Sequence, residues 1–240
     1  MRDVIFLPNV SDEYLVIAAD NSAGVGEKDF DVVQVDYETV AYFGLRVALS
    51  ECLAVGATPI ALVIQNFIGD EEWDRLKKGC CKIFSECDME PIPITGSTES
   101  NFSMVQSAVG IIVIGKVKKD EMKIKRTTKA AKFACIGRPL VGEEVIKNKE
   151  EIAPLSLIQK LLDHKSVYEI VPVGSKGIQF EWNELCQENG LNHSMIVSKK
   201  IDIKKSAGPA TCFLLSYDPA GEKDIAAIAG RHFYRLYTGD

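Results

Sequence analysis

The sequence predicts an α+β protein of two domains, and three observations carry that prediction. Strand-like apolar runs and longer helix-like patterns are intermixed along the chain. A charged stretch from Lys116 to Lys132 separates a first set of elements from a second. The length, 240 residues, exceeds the commonest single-domain size. The boundary is expected at residue 128, giving domains of 1–128 and 129–240.

Tyr14 to Ala19 is a short apolar run that ends at Asp20 and opens into a Gly-containing segment, the pattern of a buried strand entering a turn. From Val40 to Val55 the residues are apolar nearly all round, which predicts a helix buried on most sides; Gly56 and then Pro59 stop it. Ile60 to Phe67 reads as a strand. An amphipathic helix follows, capped near Asp70, with Glu71 and Glu72 in its first turn where carboxylates suit the helix dipole. It ends near Cys87, and Trp73, Leu76, Cys80, Ile83, Phe84 and Cys87 share its apolar side. Ile92 to Thr95 predicts a short strand leading into a Gly96-Ser97-Thr98-Glu99 loop. Val105 to Val117 predicts a long one interrupted by Gly110 and Gly115.

The second half restarts with a strand at Phe133 to Ile136, then helices near Glu143 to Lys147 and Ser156 to Leu162. A turn at Pro172 to Gly177 starts a helix that runs to Asn189 and stops at Gly190. Strands near Ser194 to Ser198 and Cys212 to Tyr217, a helix near Ile225 to Ala229 and a final strand complete the chain. There is no fixed-period repeat and no low-complexity segment.

Composition narrows the function classes. A formal charge of −6 argues against a general nucleic-acid binder, which needs a basic face to displace counterions from phosphates. Met1-Arg2-Asp3-Val4 lacks the pattern of a secretory signal, and no segment is apolar enough to span a bilayer, so a cytoplasmic protein is expected. Seven cysteines is an odd number, and Cys80-Cys81 with Cys87 does not fit Cys-x-x-Cys spacing; reduced core thiols fit better. His164, His193 and His232 are too scattered to signal a metal site or a Ser/His/Asp triad.

The chemistry concentrates at Asp20 to Lys28. Small residues there let backbone N–H groups approach phosphate oxygens, while Asp20 can hold Mg²⁺ and Lys28 can neutralise phosphate charge. By spacing alone a plain turn is the favoured reading of the segment. Glu51 raises the weight of the metal reading, because helical spacing sets it with Val40, Gly44, Val47 and Val55 on an apolar face, where a carboxylate needs a cation. A structural pair with Arg46 would serve as well. Gly96-Ser97-Thr98-Glu99 offers close backbone approach, two hydroxyls and a carboxylate, or a cap. Gly174-Ser175-Lys176-Gly177 opens a helix, a place where anions bind and where plain caps are commoner. Ser206-Ala207-Gly208-Pro209-Ala210-Thr211 is a tight loop before a strand.

Taken in order, these features resemble the aminoimidazole ribonucleotide synthetase superfamily, which includes selenophosphate synthetase and thiamine-monophosphate kinase. Asp20 followed by Gly24-Val25-Gly26-Glu27-Lys28 is similar to its Asp-Gly-Val-Gly-Thr-Lys loop, with extra residues after the Asp. Ala48 to Glu51, continuing through Val55-Gly56-Ala57-Thr58-Pro59, is similar to its metal-binding helix and Gly-Ala-x-Pro turn, with Glu51 in place of Asp. Thr95 to Glu99 resembles its Gly-Gly-Glu-Thr, with Ser97 at the acidic position and Glu99 two residues later.

The resemblance implies an N-domain contributing to a dimeric β-barrel, ATP bound across that homodimer, and a C-terminal α/β sandwich that closes over the substrate. It implies Mg²⁺ on Asp20, Glu51 and Glu99, and ATP on Asn21, Gly24, Gly26, Lys28, Gly96, Ser97 and Thr98. Asp20-Asn21, Ile94 to Glu99, Val173 to Gly177 and Ser206 to Cys212 also resemble a kinase branch of the superfamily. That likeness implies phosphoryl transfer to the hydroxyl of a small riboside, with Gly174, Ser175, Lys176, Gly177, Ser206, Gly208 and Thr211 on the acceptor side. Phosphorylation of thiamine monophosphate, activation of an amide, and ATP sensing without catalysis are the alternatives. No general base stands out.

Overall fold

The computed structural model describes residues 3–192 and 195–239; Met1, Arg2, His193 and Ser194 among the residues read above lie outside them. The chain divides into two compact units. The first comprises Asp3–Cys52 and Ala57–Asp120, and the second runs from Glu121 onward and takes in Leu53–Gly56.

In chain order the first unit contains β1 (Val4–Pro8), β2 (Glu13–Ala23), the two-residue strands β3 (Val25–Gly26) and β4 (Val33–Gln34), and α1 (Tyr37–Ala54). Then come β5 (Thr58–Asn66), α2 (Trp73–Glu86), β6 (Ile94–Thr98) and β7 (Ala108–Lys118). Five of these strands form a sheet in the order β1-β2-β7-β5-β6. Its pairs are antiparallel except β5 with β6, which run parallel and are joined through α2.

Asp36 starts α1, accepting from the Thr39 N–H at 2.9 Å and the Thr39 hydroxyl at 2.8 Å. The helix then buries Ala41, Leu45, Ala48, Leu49 and Cys52 completely. It lies on β7: a Cβ on Gly44 would come within 3.1 Å of Ile111 Cδ1, and one on Gly115 within 2.5 Å of Cys52 Sγ. On the opposite face of the sheet, Ile5, Ile17 and Ile114 form one cross-strand row, and Ala19, Ile112 and Val63 another. Ile5 is 59% exposed and Ile17, Ile112, Ile114 and Val63 are half-buried, so this is an apolar face without full cover.

Several expected elements shift. Asp20 to Ala23 belong to β2, because β7 supplies ladder partners as far as Ala23↔Ala108. β7 starts at Ala108 and Gly110 and Gly115 lie within it; Gln106 and Ser107 bond the loop after β2 instead of a strand. Gly96, Ser97 and Thr98 are strand, paired with Ile64, Gln65 and Asn66. Asp70 opens a 3₁₀ turn with no side-chain cap, and α2 proper begins at Trp73. β1 was not anticipated. The described cysteines are all free, as composition suggested.

The second unit contains β8 (Lys132–Ile136), α3 (Glu143–Lys147), α4 (Ser156–Leu162), β9 (Val167–Pro172), α5 (Ile178–Glu188), β10 (Met195–Val197), β11 (Phe213–Tyr217), α6 (Glu222–Ala229) and β12 (Phe233–Gly239). Its antiparallel sheet has the order β10-β12-β8-β11-β9. One face, with Phe133, Cys135, Val171, Leu214 and Leu236, packs on Trp182, Leu185 and Cys186 of α5. Alternate positions Ala134, Ile136, Ile170, Phe213 and Leu215 are as deeply buried on the other face. There α6 receives the Tyr217 hydroxyl on Glu222 at 2.9 Å and neighbours α4, making an α/β sandwich.

β9 also escaped the sequence reading, because Glu169 interrupts its apolar run. Glu169 is fully buried, and its Oε1 accepts from Arg126 N, Thr127 N and the Thr127 hydroxyl at 2.7–3.0 Å. The same hydroxyl lies 2.7 Å from Ser216 Oγ. Thr127 is thus already built into this unit. Thr127→Val should cost about 1–2 kcal/mol in urea denaturation, since it strips one donor from a buried carboxylate; an unchanged midpoint would show that water replaces the hydroxyl. No helix of the described residues is long and apolar enough to cross a membrane.

Candidate functional site

Asp20 lies on the helix-covered side of β2, in register with Val16 and Ala18, and is half-buried. Burial pushes its carboxyl up from 3.8 to about 6, opposed by a backbone hydrogen bond at Asn21. Such a carboxylate gains more than a solvated one from an arriving cation. Asn21, the next residue, is exposed and pairs with Gly110.

Beyond β2 the chain turns at Gly24, whose φ of +70° suits glycine. The loop is held by a residue that the sequence reading missed. The Asp31 carboxylate is 7% exposed and accepts from Ser107 N at 2.7 Å, Ser107 Oγ at 2.6 Å and Lys28 N at 2.9 Å. Burial alone would raise the Asp31 carboxyl, but the Ser107 and Lys28 donors together hold it below its usual value. Tyr37 joins this cluster, its hydroxyl 3.1 Å from Ser107 Oγ. Gly26 packs into it so tightly that a Cβ would fall 2.7 Å from the Tyr37 ring and 2.8 Å from the Asp31 carboxylate. Lys28 Nζ donates to the Met104 carbonyl at 2.8 Å, which leaves its charge unneutralised by that bond. No local spacing signals Asp31, because two of its donors come from Ser107, 76 residues away.

Asp20, Glu51 and Glu99 do not form a three-residue metal group among the described residues. Ile111, under Gly44, is the cross-strand partner of Asp20, whereas Gly115, under Cys52, is the partner of Val16. Cys52, the neighbour of Glu51 on α1, thus lies over the Val16 end of β2 and Gly44 over the Asp20 end. Glu51 and Arg46 are both buried and neither is without a partner. Glu99 Oε1 accepts from Asn101 N at 2.7 Å and Phe102 N at 3.3 Å, so it shapes the turn after β6. Among the described residues no group of three His, Cys, Asp or Glu side chains is placed to hold a metal.

Gly96, Ser97 and Thr98 sit on the far edge of the sheet. Asp20, Ile111, Ile64 and Gly96 form one row, which sets Gly96 three strand spacings, about 14 Å, from Asp20. A Cβ at Gly96 would overlap the Ile64 carbonyl and approach the Trp73 ring, so strand packing alone requires the glycine. Ser97 is exposed, and the Thr98 hydroxyl accepts from Asn66 Nδ2 at 3.2 Å.

In the second unit the two expected acceptor loops do meet. Ala207 N donates to the Gly174 carbonyl at 3.1 Å, and a Cβ on Gly177 would strike the Lys204 and Lys205 backbone. Ser175 and Lys176 are exposed, with Lys176 Nζ 4.1 Å from the Phe180 ring centre. Ser206 Oγ accepts from Gly208 N at 3.2 Å. Thr211 is a correction: its hydroxyl is fully buried, accepts from Leu140 N and bonds the Arg138 and Ala207 carbonyls, so it locks the loop and is closed to a substrate. Beside that loop lies a cleft of about 300 Å³ whose polar lining comes from Arg138, Glu144, Asn148, Glu151, Asp202 and Lys205. None of these six was singled out from sequence, because they come from separate segments.

No protein-family model matches the chain, and no curated protein sequence matches it. Solved structures do. The E. coli hydrogenase maturation protein HypE is 11% identical, with a TM-score of 0.64 over 92% of this chain and 79% of that one. T. maritima PurL complexed with ATP is 14% identical, with a TM-score of 0.66 over 99% of this chain and 42% of that one. Thiamine monophosphate kinase from Aquifex aeolicus is 10% identical, with a TM-score of 0.63 over 100% of this chain and 89% of that one. The chain spans less than half of PurL and most of the other two. At such identities the likeness speaks for architecture, and the architecture is the aminoimidazole ribonucleotide synthetase-like fold.

Proposed function

We infer that the protein is an ATP-dependent kinase for a small riboside, most specifically for the 5′-hydroxyl of α-ribazole in cobamide salvage. The observation that carries the reading is Asp20, a half-buried carboxylate with a raised pKa, followed by a glycine loop held in place by Asp31 and Ser107. Its fold is shared with PurL solved with ATP and with a thiamine monophosphate kinase. The riboside comes from the sequence likeness at Asp20-Asn21, Ile94 to Glu99, Val173 to Gly177 and Ser206 to Cys212.

Mg²⁺ commonly takes one or two carboxylates and completes its shell with phosphate oxygens and water, so Asp20 alone is a fitting donor for a nucleotide-borne ion. When bound, the ion supplies charge neutralisation across the phosphates. Asp20 orients it, the Gly24 and Gly26 backbone lets phosphate approach, and Lys28 offsets charge, with Asn21 beside them. Gly96, Ser97 and Thr98 are left for a more distant part of the nucleotide. Gly174 to Gly177, Ser206, Gly208 and the adjoining cleft present the acceptor. Phosphoryl transfer asks for this positioning and electrostatic support more than for covalent help. The incompletely covered Ile17 and Ile114 face supports a homodimer closed through the first unit's sheet.

Incubation with Mg·ATP and α-ribazole should yield ADP and the 5′-phosphate in equal amounts. Turnover of thiamine monophosphate but not α-ribazole would sink the acceptor assignment. A second reading, an ATP sensor without catalysis, draws on Ser97 at the position where the resemblance puts an acid and on Glu99 being engaged in the turn after β6; tight ATP binding without transfer to any riboside would favour it.

A further inference from the structure

Glu27 and Arg75 have no role in the reading above, yet they meet at the glycine loop. The Arg75 guanidinium, from the first turn of α2, grips the Glu27 carboxylate with both terminal nitrogens; Nη1 donates to Oε2 at 2.9 Å and Nη2 to Oε1. This two-pronged geometry is also the one in which a guanidinium takes a phosphate. Two further contacts position Arg75 independently of Glu27. Nη1 reaches Glu72 Oε2 at 2.8 Å, and the guanidinium carbon sits 5.1 Å from the Tyr37 ring centre.

The loop likewise does not depend on Glu27. Asp31 fixes it through Ser107 and the Lys28 N–H, and Gly26 is wedged against Tyr37. Glu27 also has a backbone contact at Tyr37, at the start of α1, but the turn itself is held by Asp31, Ser107 and Gly26. Its carboxylate and the Arg75 guanidinium are 39% and 37% exposed, and an ion pair that open to water is easily exchanged for a stronger anion. Lys28, the next residue, carries a second cation satisfied here by a carbonyl.

We propose that Arg75 is an anion seat for the terminal phosphates of a nucleoside triphosphate, and that the Glu27 carboxylate fills this seat until phosphate displaces it. The identity of the ligand rests on the kinase reading; the seat itself rests on the fork, its second support at Glu72 and Tyr37, and the independent anchoring of the loop. Glu27 then acts as a built-in competitor that keeps Arg75 aimed at the loop in the empty state.

The experiment titrates the full chain with inorganic tripolyphosphate and, separately, with Mg·ATP, for wild type, Glu27→Gln, Arg75→Lys and Arg75→Ala. Removing the competitor should tighten both ligands about 3–5-fold, the worth of an exposed ion pair. Removing the fork should weaken both about 10–100-fold, with Arg75→Lys closer to Arg75→Ala than to wild type. Opposite signs mark competition, because a purely structural pair would move affinity the same way from either side. Changes of the same sign in Glu27→Gln and Arg75→Ala, or tripolyphosphate binding by neither wild type nor Glu27→Gln, overturn the seat. If Arg75→Ala fails to fold, the sign in Glu27→Gln decides. Opposed responses to tripolyphosphate with no Mg·ATP binding would uphold the seat and overturn the nucleotide reading.

Discussion

Replacing Asp20 by Asn should raise the melting temperature at pH 8 while lowering Mg²⁺-dependent ATP turnover about 100-fold or more. The two effects share one cause. In the folded chain the Asp20 carboxyl titrates at about 6 instead of 3.8, with burial as the main reason. A raised carboxyl pKa means that the native state binds the proton more tightly than the unfolded chain. Stability from this group is therefore full below about pH 4, falls as pH rises to about 6, and stays lower above it. With allowance for solvent screening, the ionised group costs the fold about 1–2 kcal/mol at pH 8, or about 2–8 °C in melting temperature. Asn carries no charge and avoids that cost, but it cannot hold the ion.

Melting curves of both proteins at pH 4 and pH 8 would show the gap opening only at the higher value. Wild-type affinity for Mg·ATP should weaken as pH drops through 6, because a proton then competes for the same oxygen. A variant that melts lower at pH 8, or that retains turnover, would remove Asp20 from the site.

Gly26→Ala is expected to have the second large effect, a loss of about 3 kcal/mol or more in stability together with loss of nucleotide binding. The added methyl would press on the Tyr37 ring and the Asp31 carboxylate and overlap Ser107 Oγ, three groups that fix one another. Gly24→Ala supplies the internal control. A Cβ there meets the end of Gln106 at 3.4 Å and Val32 Cγ2 at 3.7 Å, both ordinary contacts, so its cost is that of the left-handed backbone, about 1 kcal/mol. Denaturant midpoints should rank wild type above Gly24→Ala above Gly26→Ala. The reverse ranking of the two variants would mean that the Asp31 cluster yields and does not govern the loop.

The parts of this fold that were legible are those whose cause is local. α1 was readable because Val40 to Val55 is apolar on nearly every side and Gly56, at φ +86°, ends it. α3 and α4 fell at the expected residues. The misses have distant causes. β9 looked broken by Glu169, and donors from Arg126 and Thr127, more than 40 positions away, make that carboxylate a comfortable strand residue. Gly96 looked like a loop glycine, yet its smallness answers the Ile64 carbonyl on the neighbouring strand.

At the site, the chemistry of Asp20 and Lys28 was visible from residue type, whereas the groups that fix their backbone were not. Ser107 is 76 residues from Asp31, a separation at which no spacing rule operates. Glu51 lies on a buried face of α1, as its helical spacing indicated.

The Asp31 to Ser107 link also bears on how the chain acquires its shape. Closing a loop of that length has an entropic cost that must be met before any contact across it returns energy. The glycine loop can therefore be ordered only after β7 has docked on β2, late in assembly and after local pieces such as the β1 and β2 hairpin have formed. A chain caught part-way would have its hairpin and helices but no ordered glycine loop. Any ligand of that loop then recognises finished molecules alone, and by drawing population from unfinished ones it acts as a chaperone-like stabiliser of its own binding partner.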